Sequence, residues 1–372
     1  MNLKEFYKEK KVLITGHTGF KGSWLCLMLL KFGANVVGYS LKPPTDPSLF
    51  ELCDIENRIT NYYGDVRDLD GMMKVFEKEK PEIVIHMAAQ PIVRDSYKMP
   101  VYTYDVNVMG TVNVLECVRL CGSVTSFVNV TTDKVYLNRE LNLPFKEDEV
   151  LCGYDPYSNS KSCSELVTYS YRNSFFGGDT GIMESGRRVA ISTCRAGNVI
   201  GGGDFANDRI IPDCVRAVLN KDKITVRNPF SIRPYQHVLE PLSVYLTVAA
   251  LQSDDMSYAG SYNVGPDDSD CITTGEMVTC FCDRWNSDPS HEKAEWINGN
   301  ERGPHEASFL KLDSSKARKV LGWKPVWDVK DAISRVAEWT DVYMSGKDVF
   351  ACCDKQISSF LEMKSERQGF NG

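Results

Sequence analysis

The sequence predicts an α/β fold, a doubly wound parallel sheet with a smaller mixed α/β lobe, and three observations predict it. Short β-branched runs alternate with helical patterns through the first half of the chain, the rhythm of βαβ units. A glycine-rich turn, Gly16-His17-Thr18-Gly19-Phe20-Lys21-Gly22, stands between the first strand pattern and the first helix pattern. The rhythm then changes after Gly201, and the 372 residues exceed what a single core usually serves.

Each element follows from its own signal. Residues 11–15 (KVLIT) make a buried strand, and 23–32 an apolar helix closed by Gly33. Residues 35–40 and 62–66 give the second and third strands, 68–80 a helix stopped by Pro81, and 82–87 (EIVIHM) the fourth strand. A long helical pattern from about 102 to 121 leads to the fifth strand at 126–130. A second such pattern at 157–176 precedes the sixth strand at 189–194, and 261–264 (SYNV) is a further strand. The expected division is 1–200 with about 236–270 for the sheet, and about 201–235 with 271–372 for the lobe, ending in a frayed tail.

Composition excludes several function classes. Lys plus Arg number 43 against 50 Asp plus Glu, a net charge of −7 that opposes an extended nucleic-acid footprint. The apolar run from Trp24 to Leu30 is far too short for a membrane span, and MNLKEFYKEKKVLITG lacks a secretory pattern. A soluble cytoplasmic protein with no membrane partner is expected. The 13 cysteines are odd in number and form no C-x-x-C, and none of the five histidines is spaced to share a metal with them. Reduced, mostly buried thiols and no metal site follow.

Gly16, Gly19 and Gly22 suit a tight turn, close approach of backbone to a pyrophosphate, and a helix N-terminus aimed at negative charge. Tyr157 and Lys161 share one helix face at i and i+4. An ammonium beside a phenol favours phenolate, so the tyrosine can move a proton as a hydride leaves carbon. Tyr7 and Lys11 repeat the spacing by chance, ahead of the first strand.

The glycine spacing, Asp65-Val66-Arg67-Asp68, Ala88-Ala89, Asn107, Thr131-Thr132-Asp133 and Tyr157-x-x-x-Lys161 resemble, in this order, the short-chain dehydrogenase/reductase superfamily. The resemblance implies a Rossmann-type domain whose cofactor contacts are Gly16, His17, Thr18, Gly19, Phe20, Lys21, Gly22, Ser40, Asp65, Val66, Ala88, Ala89 and Asn107. It also implies NAD, although Ser40 stands where an acid usually binds the adenosine ribose, with Lys42 nearby.

The second lobe and Asn198 resemble the extended branch that acts on nucleotide sugars. Thr132-Asp133-Lys134, GHTGFKGSWL and IRPYQHVLEP most resemble its CDP-glucose 4,6-dehydratase group. That implies a redox-neutral lyase supplying deoxysugars for surface polysaccharide. The resemblance gives Tyr157, Lys161 and Thr132 to C4 oxidation, Asp133 to the acid at O6, and Lys134 to the C5 proton. An Asp beside a Lys favours the ion pair, the reverse of both roles, so Lys134 as a cationic enolate stabiliser stays open. Consecutive strand residues also face opposite sides, so the strand must end by Asp133. Asn198, Arg209, Arg233 and His237 are candidates for the diphosphate and nucleotide, with His237 equally a packing residue, and Gln90 and Glu306 for the sugar. A UDP-N-acetylglucosamine 4,6-dehydratase, another epimerase or reductase, and a non-catalytic redox sensor remain alternatives. The helices at 102–121 and 157–176 imply a homodimer or homotetramer.

Overall fold

Alternate residues of each central strand are buried on opposite faces, which builds two cores around one sheet. The computed structural model describes residues 1–141, 143–177, 188–299 and 309–369. The chain opens with α1 (Leu3–Tyr7), β1 (Lys11–Thr15), α2 (Phe20–Lys31), β2 (Asn35–Ser40), α3 (Leu49–Leu52) and β3 (Thr60–Tyr63). Next come α4 (Leu69–Glu79), β4 (Ile83–His86), α5 (Val93–Lys98), α6 (Pro100–Tyr104), α7 (Gly110–Leu120) and β5 (Ser126–Thr132). Then follow α8 (Pro156–Phe175), β6 (Ala190–Ala196), β7 (Val199–Ile200), α9 (Ile210–Asn220), β8 (Ile224–Val226), β9 (Ile232–Pro234) and β10 (Gln236–His237). The remainder is α10 (Leu239–Asp254), β11 (Ser261–Val264), β12 (Cys271–Thr273), α11 (Thr274–Asn286), β13 (Trp296–Asn298), α12 (Ser315–Leu321), α13 (Val329–Met344) and α14 (Val349–Gly369).

Seven strands pair in parallel in the order β11-β6-β5-β4-β1-β2-β3. In β1, Val12 and Ile14 join Trp24 and Leu25 of α2 and Leu242 and Leu246 of α10 in one core. Leu13 points the other way, with Phe76 of α4, Val114 of α7 and Phe127 of β5. The strand order reverses between β1 and β4, so the crevice for a ligand opens at their carboxyl ends. A third cluster, including Cys214, Val226, Met277, Phe281 and Ile333, packs α9, α11 and α13 together. No helix among the described residues is long and apolar enough to cross a membrane.

Several boundaries differ from the sequence reading, and three of them shape the site. Helix α2 begins at Phe20 because Gly22 lies inside the helix, where a β-carbon would collide with the Gly16 carbonyl. Strand β3 ends at Tyr63, since Gly64 and the Asp65–Arg67 contact turn the chain. The pattern at 102–121 is α6 and α7 joined by a π-helical turn, Asp105–Met109, which carries Asn107.

Candidate active site

The glycine-rich turn is shaped for close approach. Gly16 has φ +78°, and a β-carbon there would sit 2.7 Å from the Ala88 nitrogen. Gly19 caps α2 without any side-chain hydrogen bond, and a β-carbon there would meet only the Gly16 carbonyl, at 3.6 Å. The start of α2 therefore offers N–H donors and open space, which fits a pyrophosphate. Thr18 Oγ1 lies 3.0 Å from Ser40 Oγ and donates to the Leu41 carbonyl at 2.9 Å, tying the turn to the end of β2. Beyond it a cleft of about 620 Å³ is lined by Lys42, Asp46, Glu51, Glu56 and Tyr63.

His17 turns inward. Its Nε2 meets Asn61 Oδ1 at 2.6 Å and its ring lies edge-on to Phe50, and burial pulls its pKa down to about 4. It shapes the turn as a neutral ring. Phe20 packs against the first core and faces Gly201. Asp65 is gripped by Arg67 at 2.6 Å, and that hydrogen bonding holds its carboxyl below the usual range. Val66 and Ala88 are buried, and Ala89 is half-buried. Asn107 has both polar atoms of its side chain engaged within the protein. Its Oδ1 accepts from the Gln90 N–H at 2.8 Å, while its Nδ2 donates to the Gln90 carbonyl and to Ser160 Oγ. It is a tether between the loop after β4 and α8.

At the carboxyl end of β5 the strand stops at Thr132, and Asp133–Val135 form a 3₁₀ turn. This frees Asp133 and Lys134 from strand alternation. Thr132 Oγ1 and Lys134 Nζ both donate to Asp133 Oδ1, each at 2.9 Å. Asp133 is fully buried, and its Oδ2 has no hydrogen-bond partner. A β-carbon on Gly197 would stand 3.0 Å from that oxygen.

Asp155 caps α8 and so fixes Tyr157 in its first turn. Burial pushes the Tyr157 phenol up to about 12, against a hydrogen bond with Thr132 and the charge of Arg209. This reverses the direction expected from a neighbouring ammonium. The reason is burial of the phenol itself. Lys161 is turned to the Val130 carbonyl, to which its Nζ donates at 3.1 Å, and burial lowers it to about 8 while Glu165 opposes. Lys21, from the glycine turn, is lowered to about 7, first by burial and then by Arg209 and Lys161, with Nζ 5.9 Å from the Tyr245 ring centre. The turn and the acid–base cluster are thus one electrostatic unit.

The expected substrate residues divide. Arg209 stands at the start of α9 and pairs with Asp204 at 3.0 Å, and its charge reaches Tyr157. Asn198 lies between β6 and β7, its carbonyl accepting from Gln236 N–H at 3.1 Å. Arg233 is buried in β9, donating to the Ile232 carbonyl. Gln90 folds back instead: its side chain bonds Ile92 and Thr103. His237 is a core residue, wedged edge-on between Trp24 and Trp327 at 5.8 and 4.8 Å, with a pKa near 3 through burial. Glu306 lies outside the described residues. Sequence reading missed Gly197, Asp204 and the buried Glu165–Arg195 pair. Only Glu165 carried a signal, its i+4 spacing from Lys161.

Against this geometry, a family model described as GDP-mannose 4,6 dehydratase matches residues 13–336. The chain belongs to this family. The CDP-glucose 4,6-dehydratase of Salmonella typhimurium is 46% identical to it over 359 residues, covering 96% of this chain and 98% of that relative. The dTDP-D-glucose 4,6-dehydratase of Dictyostelium discoideum is 28% identical, covering 72% and 61%. In fold, the chain is similar to the dTDP-glucose 4,6-dehydratase of Bacillus anthracis solved with NAD (TM-score 0.71, 19% identity, covering 91% of this chain and 98% of that one). It is similar also to that of Streptomyces venezuelae solved with NAD and TYD (TM-score 0.73, 21% identity, covering 91% and 99%).

Proposed function

We propose that the protein is an NAD-dependent CDP-glucose 4,6-dehydratase, converting CDP-D-glucose to CDP-4-dehydro-6-deoxy-D-glucose and water. The observation that carries the reading is the Asp133–Lys134 pair at the end of β5, within the electrostatic reach of Tyr157. Oxidation at C4 alone needs Tyr157, Lys161 and Thr132, whereas loss of water across C5 and C6 needs a second acid and base. The 46% identity over 96% of the chain supports the same reaction and substrate.

In this reading bound NAD would supply the hydride acceptor for oxidation at C4 and, once reduced, the hydride for C6. Gly16, Gly19 and the uncapped start of α2 hold the pyrophosphate, with Thr18 and Ser40 at the adenosine side. The carboxylates of Asp46, Glu51 and Glu56 in the adjoining cleft outnumber Lys42 and oppose a 2′-phosphate, which supports NAD over NADP. Tyr157 as phenolate accepts the O4 proton, favoured by the Thr132 hydrogen bond and Arg209 and opposed by burial. The C4 ketone makes the C5 proton acidic, because the carbanion is then an enolate.

Lys134 removes that proton and Asp133 protonates the leaving O6, which departs as water; Lys134 then returns its proton to C5 when hydride reaches C6. Moving one proton from Lys134 to Asp133 turns the ion pair into the amine and acid that these steps require, without changing the total charge. Both donors to Asp133 sit on Oδ1, so the unpartnered Oδ2 is the oxygen that delivers the proton. Arg209, Arg233 and Asn198 hold the nucleotide diphosphate. Residues 1–200 with about 236–270 serve the dinucleotide and the rest the nucleotide sugar. Exposed Leu120, Leu166 and Tyr169 on α7 and α8 support a homodimer through these helices. The setting is cytoplasmic, supplying deoxysugars for surface polysaccharide.

Incubation with CDP-glucose and NAD, followed by the alkali-dependent ultraviolet absorbance of a 4-keto-6-deoxy sugar, tests the reading. Product without net NADH is expected. Product from UDP-N-acetylglucosamine alone would keep the mechanism and replace the substrate, and no product from either would overturn the dehydratase assignment.

A further inference from the structure

Lys161 and Glu165 occupy one face of α8, a helical turn apart, and each is only 3% exposed. The Glu165 carboxylate is held from four directions. Its Oε1 accepts from Arg195 Nε at 2.9 Å and Thr131 Oγ1 at 2.5 Å, and its Oε2 from Arg195 Nη2 at 2.9 Å and Thr193 Oγ1 at 2.7 Å. Thr131 adjoins Val130, the residue whose carbonyl fixes Lys161 Nζ. A rigid negative charge is therefore built into the same strand–helix junction as the buried ammonium.

That ammonium needs one. Burial works against its charged form, and Glu165 on α8 is the charge that opposes this. The groups facing it from other elements do not help: Lys21 of α2 repels it, and His86 of β4 is buried and neutral, with a pKa near 3. Arg195 of β6 is spent on Glu165, Tyr136 and the Glu147 carbonyl.

We propose that Glu165 is a positioning residue of the active site, whose fixed carboxylate keeps the Lys161 side chain in its ammonium form. The inference rests on the reading above only in giving Lys161 work to do at Tyr157. Without Glu165, a dry pocket holding Lys21 and Lys161 would shed a proton from Lys161 near neutral pH.

The test is a ¹³C titration of protein carrying ¹³Cε-lysine, with the Lys161 signal assigned by its loss in Lys161→Met. Glu165→Gln is expected to lower the Lys161 midpoint by about one pH unit, a roughly tenfold loss of proton affinity. An unmoved midpoint overturns the proposal. Thr193→Val, which removes a hydrogen bond but no charge, is expected to leave the midpoint in place, and an equal shift there would overturn the proposal in favour of plain architecture. Should Glu165→Gln not fold, Glu165→Gln/Arg195→Gln replaces it, judged by the same criterion. Turnover of CDP-glucose by the unaltered protein is measured separately, so a failed dehydratase reading shows there and not in the titration.

Discussion

Glu165–Arg195 and Asp133–Lys134 are both carboxylate–cation pairs near the carboxyl ends of β5 and β6, yet they are built in opposite ways. In the first, every donor is distributed over both oxygens, and both partners are buried. In the second, both donors crowd onto one oxygen, the other is left bare, and the lysine side chain is 26% exposed. A buried pair with all its lone pairs satisfied is a fixed charge that holds its protonation state, while a pair with one oxygen withheld is kept available for proton transfer. The contrast distinguishes them better than charge or burial alone.

The largest effect is expected from opening the closed pair. Glu165→Ala leaves Arg195 uncompensated in the interior and should cost about 3–5 kcal/mol, read from urea denaturation. A loss below about 1 kcal/mol would break the contrast. Asp133→Asn should do the reverse, lowering dehydration roughly 10²–10⁴-fold with an unchanged unfolding midpoint. If instead its stability collapsed and its activity survived, the two pairs would have to exchange roles.

Acid sharpens the picture, because His17, His86 and His237 are buried as neutral rings. Their folded pKa values of about 4, 3 and 3 lie below the 6.5 of a free imidazole. The unfolded chain then binds more protons below that value, so stability is intact above it and lost as pH falls toward 4 and 3. Near pH 5 each histidine costs about 2 kcal/mol. His237→Phe should remove one share of that slope in denaturation curves across the range. The smallest effect is expected at Gly197→Ala, whose β-carbon would press on the open oxygen of Asp133 at 3.0 Å and on Pro234 at 2.7 Å. About a tenfold fall in turnover with about 1 kcal/mol of destabilisation is the expected result, measured by steady-state kinetics and melting.

Much of this was legible in the residues. Strands β1 and β2 fell where their apolar runs lie, because a strand buried on both faces is a continuous hydrophobic signal. The placement of the glycine turn, Thr132, Asp133 and Tyr157 at element boundaries, and of Lys161 one helical turn after Tyr157, was legible from their spacing. The side-chain surroundings of His237, Gln90 and Asn107 were not. Whether a polar side chain faces a ligand or its own protein depends on partners distant in sequence, such as Trp327 for His237, and no local pattern records them. Arg195 was hidden for the same reason, since its partner Glu165 lies 30 positions away. The upward push on Tyr157 was equally invisible, because burial is a property of the assembled molecule.

The π-helical turn between α6 and α7 has a geometric consequence. A turn that takes in one residue more than its neighbours rotates everything on one side of it by about 100° relative to the other, like a screw whose thread has slipped once. Val101 and Tyr104 before the slip, Met109 at its end and Leu120 after it are exposed on faces that a regular helix would have set at different bearings. Deleting a single residue within 105–109 would restore an even thread, swinging that apolar outer edge around the axis while Asn107 lost its aim at Gln90 and Ser160. The inner tether and the outer surface are therefore cut on one thread, and neither can be re-aimed without turning the other.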